Sequence, residues 1–305
     1  MKRLLIFLAL LSLSFVMVLP AVSQIRDGRT RQEVFDQISY IVTNEPGELT
    51  LPDSGLDILL DEFAFNSEGE VTESMRILIE EIADDPSVHL TTRKVAVSAL
   101  RLFSPELEVD RIRNLIDQKG LKIESAALLA EWGFWDEAKP VLIEHGAWRS
   151  LAALGEQSEV EPIIRSAIED RSLPIMSRLY ASSALEAYGD TLTQQETARS
   201  VLRDYLLDNQ PVDDMKDLTR AISTSCNILI RGNQASDLYL MEAGLTYPNS
   251  NIRYFTASAI GKKAREDSDP IAIEILEYAK ENSEFSEVRK IARKATKRIA
   301  NKQGD

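Results

Sequence analysis

The chain has 305 residues, with 35 Lys and Arg against 49 Asp and Glu, a formal net charge of −14. A protein this acidic repels phosphate backbones, so the composition disfavours general nucleic-acid binding. One Cys excludes an intramolecular disulfide, and 44% hydrophobic residues supply enough apolar material for a buried core.

The first 23 residues have the pattern of a secretory signal peptide. Lys2 and Arg3 form a basic start, 4–19 is almost continuously apolar, and small residues stand at Ala21 and Ser23. The apolar run is shorter than the roughly 20 residues of a spanning helix. We therefore predict cleavage after Ser23 and export to the periplasm or beyond the cell. An uncleaved membrane anchor is the alternative.

Residues 24–68 are predicted to form an N-terminal helical cap. Thr30 and Glu33 make a capping-box pattern at the start of a helix over 30–43, and a second helix is predicted over 53–65. Neither helix carries the repeat pattern of the following residues. Terminal units of a solenoid are atypical, so we expect these helices to cover the apolar face of the first repeat.

Over residues 69–305 one short pattern recurs, consisting of an Arg and two small residues, each three positions after the last. The seven copies are Arg93/Ala96/Ala99, Glu124/Ala127/Ala130, Arg149/Ala152/Gly155, Arg178/Ala181/Ala184, Arg220/Ser223/Cys226, Arg253/Thr256/Ala259 and Arg289/Ala292/Ala295. Small side chains at this spacing let a neighbouring helix approach closely, and the Arg at the edge can reach water or a carboxylate. The distance between copies is typical of stacked helical repeats.

The helices of this region are predicted to come in pairs, and no stretch shows the alternation of a β-strand. The predicted pairs are 70–84 with 90–103, 106–118 with 121–132, 136–145 with 146–155, 158–170 with 173–188, 193–208 with 212–231, 234–246 with 249–265, and 270–281 with 285–300. The expected fold class is all-α, an α-α superhelix of about seven helical pairs with the N-terminal cap.

The repeat pattern resembles that of HEAT repeats, most closely the phycobilisome-lyase type of HEAT-like repeat. Residues 252–261 follow the second helix of that family, which reads apolar-Arg-x-x-Ala-Ala-x-Ala-Leu-Gly. The family's next phrase appears where Gly133 leads to Pro140 and where Gly155 leads to Pro162. Glu124 departs from the pattern because Arg is usual there. The resemblance implies a HEAT-like solenoid, here an exported and non-catalytic member.

Residues that could carry chemistry are few. The two His, His89 and His145, lie far apart in sequence, so no metal or other cofactor is expected and no catalytic residue is assigned. Cys226 could be a reactive thiol. It stands where the other copies have Ala or Gly, so we interpret it as a small buried side chain.

All three Trp fall in one short stretch, where the repeats are also shortest. They are Trp132, Trp135 and Trp148, with Arg149 beside the last. One interpretation is an aromatic core that fills the junction between short helices. The other is a partner-binding patch, since Trp and Arg are frequent at interaction hot spots. We expect Trp132 to be packed and Trp135 to be the most exposed of the three.

The last residues reverse the charge of the chain. Residues 286–305 carry seven cations against Glu287 and Asp305; the cations are Arg289, Lys290, Arg293, Lys294, Lys297, Arg298 and Lys302. The apolar residues of this stretch fall on one helix face, which indicates a capping helix with a polar outer face. The same helix could contact anionic lipid or an acidic partner.

No feature of the sequence identifies an activity. The leading hypothesis is an exported scaffold, not an enzyme, that binds another protein of unknown identity in the cell envelope. One alternative is an envelope structural protein that contacts an anionic surface through residues 286–305. The other is a lyase- or isomerase-type enzyme, by analogy with the repeat family alone.

Overall fold

The structure is a computed structural model that describes residues 29–52, 55–65, 70–232 and 234–303, with the side chains of 302 and 303 excepted. The predicted signal peptide, 1–23, lies outside these residues. In the described ranges the regular structure is helical and contains no β-strand. None of the described helices is long and apolar enough to cross a membrane.

The described part of the chain contains sixteen α-helices. They are α1 (Arg31–Asn44), α2 (Leu56–Phe65), α3 (Glu73–Asp84), α4 (Leu90–Ala99), α5 (Pro105–Ile116), α6 (Lys122–Glu131), α7 (Trp135–Glu144), α8 (Trp148–Leu154), α9 (Gln157–Glu169), α10 (Ile175–Ala184), α11 (Leu192–Leu202), α12 (Met215–Leu229), α13 (Ala235–Ala243), α14 (Ser250–Asp267), α15 (Pro270–Asn282) and α16 (Ser286–Gln303). Two compact units hold α1–α8 and α9–α16, divided between Glu156 and Gln157.

Within each unit the two helices of a pair pack on each other, and the second helices of successive pairs also pack on one another. In the first unit α2, α4, α6 and α8 follow one another in this way, and in the second unit α10, α12, α14 and α16 do. First helices α11, α13 and α15 are in contact likewise. The predicted fold class, an all-α superhelix of paired HEAT-like helices, is confirmed.

The N-terminal helices begin as the sequence predicts. The backbone N–H of Thr30 donates to Glu33 Oε2 at 2.6 Å, and the N–H of Glu33 donates to Thr30 Oγ1 at 3.3 Å. These two bonds complete the capping box. α1 packs on α2, and α2 packs on α4 of the first repeat. The boundary of the cap at residue 68 stays a prediction.

Four of the repeated Arg side chains bind the end of the preceding helix. They are Arg93, Arg178, Arg253 and Arg289. Arg93 Nε donates to the Ala83 carbonyl at 3.0 Å, and Arg178 Nε donates to the Ile168 carbonyl at 2.9 Å. The last carbonyls of a helix lack partners within it, and a cation there complements the helix dipole. The sequence pattern predicted water or a carboxylate as the partner of this Arg; the backbone carbonyls were not predicted, whereas Arg253 also binds the carboxylate of Glu287 at 2.8 Å.

In three copies of the pattern the first residue is not on the packed face of its helix, contrary to what the pattern predicted. Glu124 is half-buried, while Arg149 and Arg220 are exposed. In α8 the buried position belongs to Trp148, one residue earlier, and in α12 it belongs to Leu218, two residues earlier. Each residue turns a helix by about 100°, so a slip of one or two moves the Arg off the packed face.

Cys226 nevertheless packs as predicted. It is 1% exposed in α12, because the buried face of that helix recurs every three or four residues and includes position 226. Burial raises the pKa of the Cys226 thiol to about 12. The thiol therefore stays protonated at neutral pH and behaves as a small apolar side chain.

Close approach between helices is clearest where α14 meets the turn after α13. Gly244 begins this turn and faces Thr256, the small residue of the sixth copy, which is fully buried. A Cβ atom on Gly244 would lie 3.0 Å from Thr256 Oγ1 and closer still to Thr256 Cγ2, which is too short for van der Waals contact. The φ of Gly244, −71°, suits any residue, so only the missing side chain requires Gly here.

We expect Gly244→Ala to destabilise the protein by about 1–3 kcal/mol, because the short β-branched Thr256 cannot move away. Thr256→Ala should relieve the clash, so the double variant should lose less than the sum of the single variants. Urea denaturation of all three variants measures this coupling. Gly47→Ala is the control, since nothing lies within 4 Å of a Cβ there. Additive losses would contradict the close contact.

Candidate functional site

The three Trp have different environments. Trp148 is 4% exposed and packs inside the first unit as the first residue of α8. Its ring therefore cannot form part of a partner-binding surface in this structure. Trp132, directly after α6, and Trp135, the first residue of α7, are both half-buried. Arg149 is exposed in the first turn of α8.

Two turns of one type place these residues. After α6 the N–H of Gly133 donates to Ala130 O at 3.1 Å and that of Phe134 donates to Leu129 O at 2.9 Å. This pair of bonds is a Schellman motif, and the φ of Gly133, +92°, is one that Gly adopts without strain. Trp132 and Trp135 thus lie on opposite sides of a sharp helix end.

The second turn repeats this geometry between α7 and α8. The N–H of Gly146 donates to Ile143 O at 3.0 Å, and that of Ala147 donates to Leu142 O at 2.8 Å. α7 has ten residues, a length of about 15 Å, so Arg149, in the first turn of α8, lies beyond the end of α7 opposite to Trp135. A standard protein interface is large enough to include both ends.

An Arg from α5 borders the aromatic turn, which the sequence analysis did not detect. The guanidinium carbon of Arg113 lies 5.0 Å from the centre of the Phe134 ring. Its Nε and Nη2 atoms donate to the Glu137 carboxylate at 2.9 and 2.7 Å. These hydrogen bonds lower the pKa of Glu137. Arg113 therefore joins α5 to α7 beside the two half-buried Trp.

A buried charge cluster links α3 and α5 in the same unit. Glu108 is fully buried and accepts from Arg76 Nη1 at 2.9 Å, while Glu80 accepts from Arg111 Nη2 at 2.8 Å and from Arg76. Arg111 Nε lies 3.2 Å from the second oxygen of Glu108. This cluster was not predicted in the sequence analysis. The spacing of Arg76 and Glu80, one helical turn apart, is the signal it could have used.

The two carboxylates of this cluster affect each other. Burial, followed by the hydrogen bond and the negative charge of Glu108, raises the pKa of Glu80 to about 7. Perturbed carboxylates occur at catalytic sites, but buried ion-pair networks perturb pKa values as well. Glu80 and Glu108 are both bound by Arg side chains, so we assign the cluster to the joining of α3 and α5.

The raised pKa makes part of the stability depend on pH. The folded chain binds the proton of Glu80 more tightly than the unfolded chain does, so proton binding stabilises the fold. This stabilisation is complete below the unfolded pKa near 4.5 and is lost as the pH rises through about 7. Glu80→Gln imitates the protonated acid at every pH. We expect the free energy of unfolding of the wild type, minus that of this variant, to fall by about 1–3 kcal/mol between about pH 5 and pH 8. Urea denaturation across that range measures it, and a flat difference would contradict the shift.

No group of three or more His, Cys, Asp or Glu that could hold a metal ion occurs among the described residues. The N–H of Thr91 donates to His89 Nδ1 at 3.3 Å, so this imidazole caps the start of α4. His145 follows α7 and is exposed.

The basic segment 286–305 forms α16, of which the described side chains reach residue 301. Its apolar face is buried, and five cations lie on its exposed side: Lys290, Arg293, Lys294, Lys297 and Arg298. Arg289 is instead half-buried and donates to the Ser283 carbonyl at the end of α15 at 2.5 Å.

The comparisons with known proteins show no family for this chain. No family model matches the chain, and no curated protein matches it. The link to phycobilisome lyases therefore rests on the sequence pattern alone. Among solved structures, the chain is similar to human deoxyhypusine hydroxylase in complex with glycerol, with a TM-score of 0.33 and 13% identity over 98% of this chain and 99% of that one.

This similarity contradicts the prediction that the chain is not an enzyme, because the similar protein is a hydroxylase by name. We withdraw that prediction. At 13% identity and this TM-score, the likeness does not assign hydroxylase activity to the chain either.

Proposed function

We propose that the chain is an exported helical-repeat scaffold that binds another protein in the cell envelope. Export is inferred from the signal-peptide pattern of residues 1–23, and the repeats are inferred to be HEAT-like, of the phycobilisome-lyase type, from the pattern at 252–261. Stacked helical pairs present long surfaces of neighbouring helices, which such proteins commonly use to bind partners.

The observation that supports this function best is the pair of half-buried Trp at one turn. Trp132 and Trp135 lie on either side of Gly133, and each is partly exposed. Partly exposed Trp are costly to leave in water and are frequent at the centres of interfaces. Arg113 holds Phe134 between them, so the turn is ordered before a partner binds.

Arg149 extends the proposed surface to the start of α8. Its side chain is exposed, and Arg is enriched at hot spots because its planar guanidinium both stacks and pairs with carboxylates. We define the aromatic surface as Trp132, Trp135 and Arg149. Trp148, proposed as a fourth member from the sequence, is excluded by its burial.

A crosslinking pull-down from native envelope extract tests the proposal. The wild-type chain should retain a stoichiometric protein, and Trp135→Ala or Arg149→Ala should weaken this binding by about 2 kcal/mol or more, roughly 30-fold. The melting temperature of Arg149→Ala should stay close to that of the wild type. Thermal unfolding of Trp135→Ala separates lost binding from lost stability.

Tyr40→Ala is the matched control, because Tyr40 is an exposed aromatic in the same unit, 57% accessible, outside the aromatic surface. It should bind the partner as the wild type does. Equal retention by all the variants would remove the aromatic surface as the binding site. Absence of any stoichiometric partner would contradict the scaffold function itself.

A further inference from the structure

The exposed face of α16 is a continuous basic stripe. Its members are Lys290, Arg293, Lys294, Lys297 and Arg298, and all five are exposed. Their spacing of three, four, seven and eight residues brings them to one side of the helix, over a length of about 12 Å. We call this face the basic stripe.

Three carboxylates on α16 and on α15, which packs against it, already have partners. Glu287 accepts from Arg253 Nε at 2.8 Å and Nη2 at 2.5 Å. In α15, Glu277 and Glu281 both pair with Lys280. Among the described residues, none forms an ion pair with a member of the basic stripe. The five charges therefore face solvent together.

The opposite face of α16 is committed to the core of the second unit. Val288, Ala292, Ala295 and Ile299 are buried there, and the helix packs on α14 and α15. α16 therefore cannot turn an apolar face outward without losing this packing. Any partner of the basic stripe is bound by charge, through long and mobile side chains.

The chemistry of the basic stripe distinguishes among anionic partners. No large apolar residue is exposed on the described part of α16, so the stripe lacks the buried anchor of a protein hot spot. A layer of lipid headgroups needs no such anchor, because mobile phosphates can gather around the cations. The net charge of the whole chain, −14, repels such a layer elsewhere and orients the protein with α16 toward it.

We propose that the basic stripe of α16 docks the protein on the surface of an anionic phospholipid bilayer. The contact is peripheral and electrostatic, and α16 stays folded against α14 and α15 while it forms. Each cation near such a surface contributes about 1 kcal/mol, so neutralising one weakens binding roughly five-fold. Salt screens the contact, because the Debye length falls from about 10 Å at 0.1 M to about 3 Å at 1 M.

Cosedimentation with vesicles tests this docking surface. The full chain should bind vesicles of phosphatidylcholine with about one-third phosphatidylglycerol much more tightly than vesicles of phosphatidylcholine alone. The readout is the difference between the wild type and each variant on the anionic vesicles, and since all of them share residues 1–23, any contribution of those residues cancels. Replacing all five members of the basic stripe by Gln should lower the anionic binding more than 100-fold. Raising the salt should have the same effect.

A scattered variant with the same change of net charge is the control. It replaces Lys119, Lys216, Arg220, Arg231 and Lys262 by Gln, which are exposed cations outside α16. This variant should keep the anionic binding, and circular dichroism should show both variants folded. An equal loss in the two variants, or equal binding to neutral vesicles, would overturn the proposal. Retention on immobilised polyglutamate without vesicle binding would assign the stripe to an acidic protein instead.

Discussion

Trp148→Ala should destabilise the protein by about 3–5 kcal/mol. The indole is 4% exposed at the start of α8, the shortest of the described α-helices, so its removal leaves a cavity that seven residues cannot close. In a unit of about 150 residues such a loss lowers the melting temperature by roughly 2–4 °C per kcal/mol. Thermal and urea denaturation measure it directly.

The adjacent residue provides the control for Trp148. Arg149→Ala removes an exposed side chain from the same turn of α8, and we expect it to change the stability by less than about 0.5 kcal/mol. A large loss in both variants would indicate that the start of α8 is sensitive to any change. A small loss in Trp148→Ala would place the indole outside the core.

Arg253→Ala should cost about 3–5 kcal/mol, since it breaks several contacts of one buried cation. Arg253 Nη1 donates to the carbonyls of Tyr247 and Pro248 at 2.7 and 2.8 Å, and Nε and Nη2 donate to Glu287. The guanidinium carbon lies 3.8 Å from the centre of the Phe285 ring. Removal of the cation leaves two carbonyls and a carboxylate without this donor.

Arg220→Ala is the matched control, because Arg220 holds the same place in the sequence pattern but is exposed in α12. We expect its loss to be within about 0.5 kcal/mol. Arg253→Lys should recover only part of the stability, since an ammonium cannot form the planar fork. Equal losses of stability in Arg253→Ala and Arg220→Ala, measured by urea denaturation, would contradict this. They would mean that the place of an Arg in the sequence pattern, and not its burial, determines how much it stabilises the protein.

The sequence predicted the helices well because their signals are local. The capping box of Thr30 and Glu33 begins α1, and the apolar periodicity in each later segment places a helix within a few residues of its observed bounds. Short connections force consecutive helices together, so the pairing followed as well. The burial of Cys226 was predictable for the same reason, since a periodic apolar face surrounds it.

The candidate site was predicted only in part. The sequence placed Trp132 beside the end of α6 and Trp135 in the following turn, because Gly133 is a strong helix stop. It expected one packed and one exposed ring, whereas both are half-buried. Nor did the sequence indicate Arg113, a residue of α5 that packs beside the turn from about 20 residues away in sequence.

The sequence by itself determined the all-α class, the order of the helical pairs and the position of the basic segment, since helix formation depends on neighbours three and four residues away. Only the tertiary structure decided that Trp148 rather than Arg149 faces the core of α8, and that Leu218 rather than Arg220 does so in α12. It also decided that Glu80 and Glu108 share two Arg side chains between α3 and α5. The register of a helix and the partner of a buried charge are set by side chains of other helices, and a one-residue rotation of about 100° exchanges one face for another.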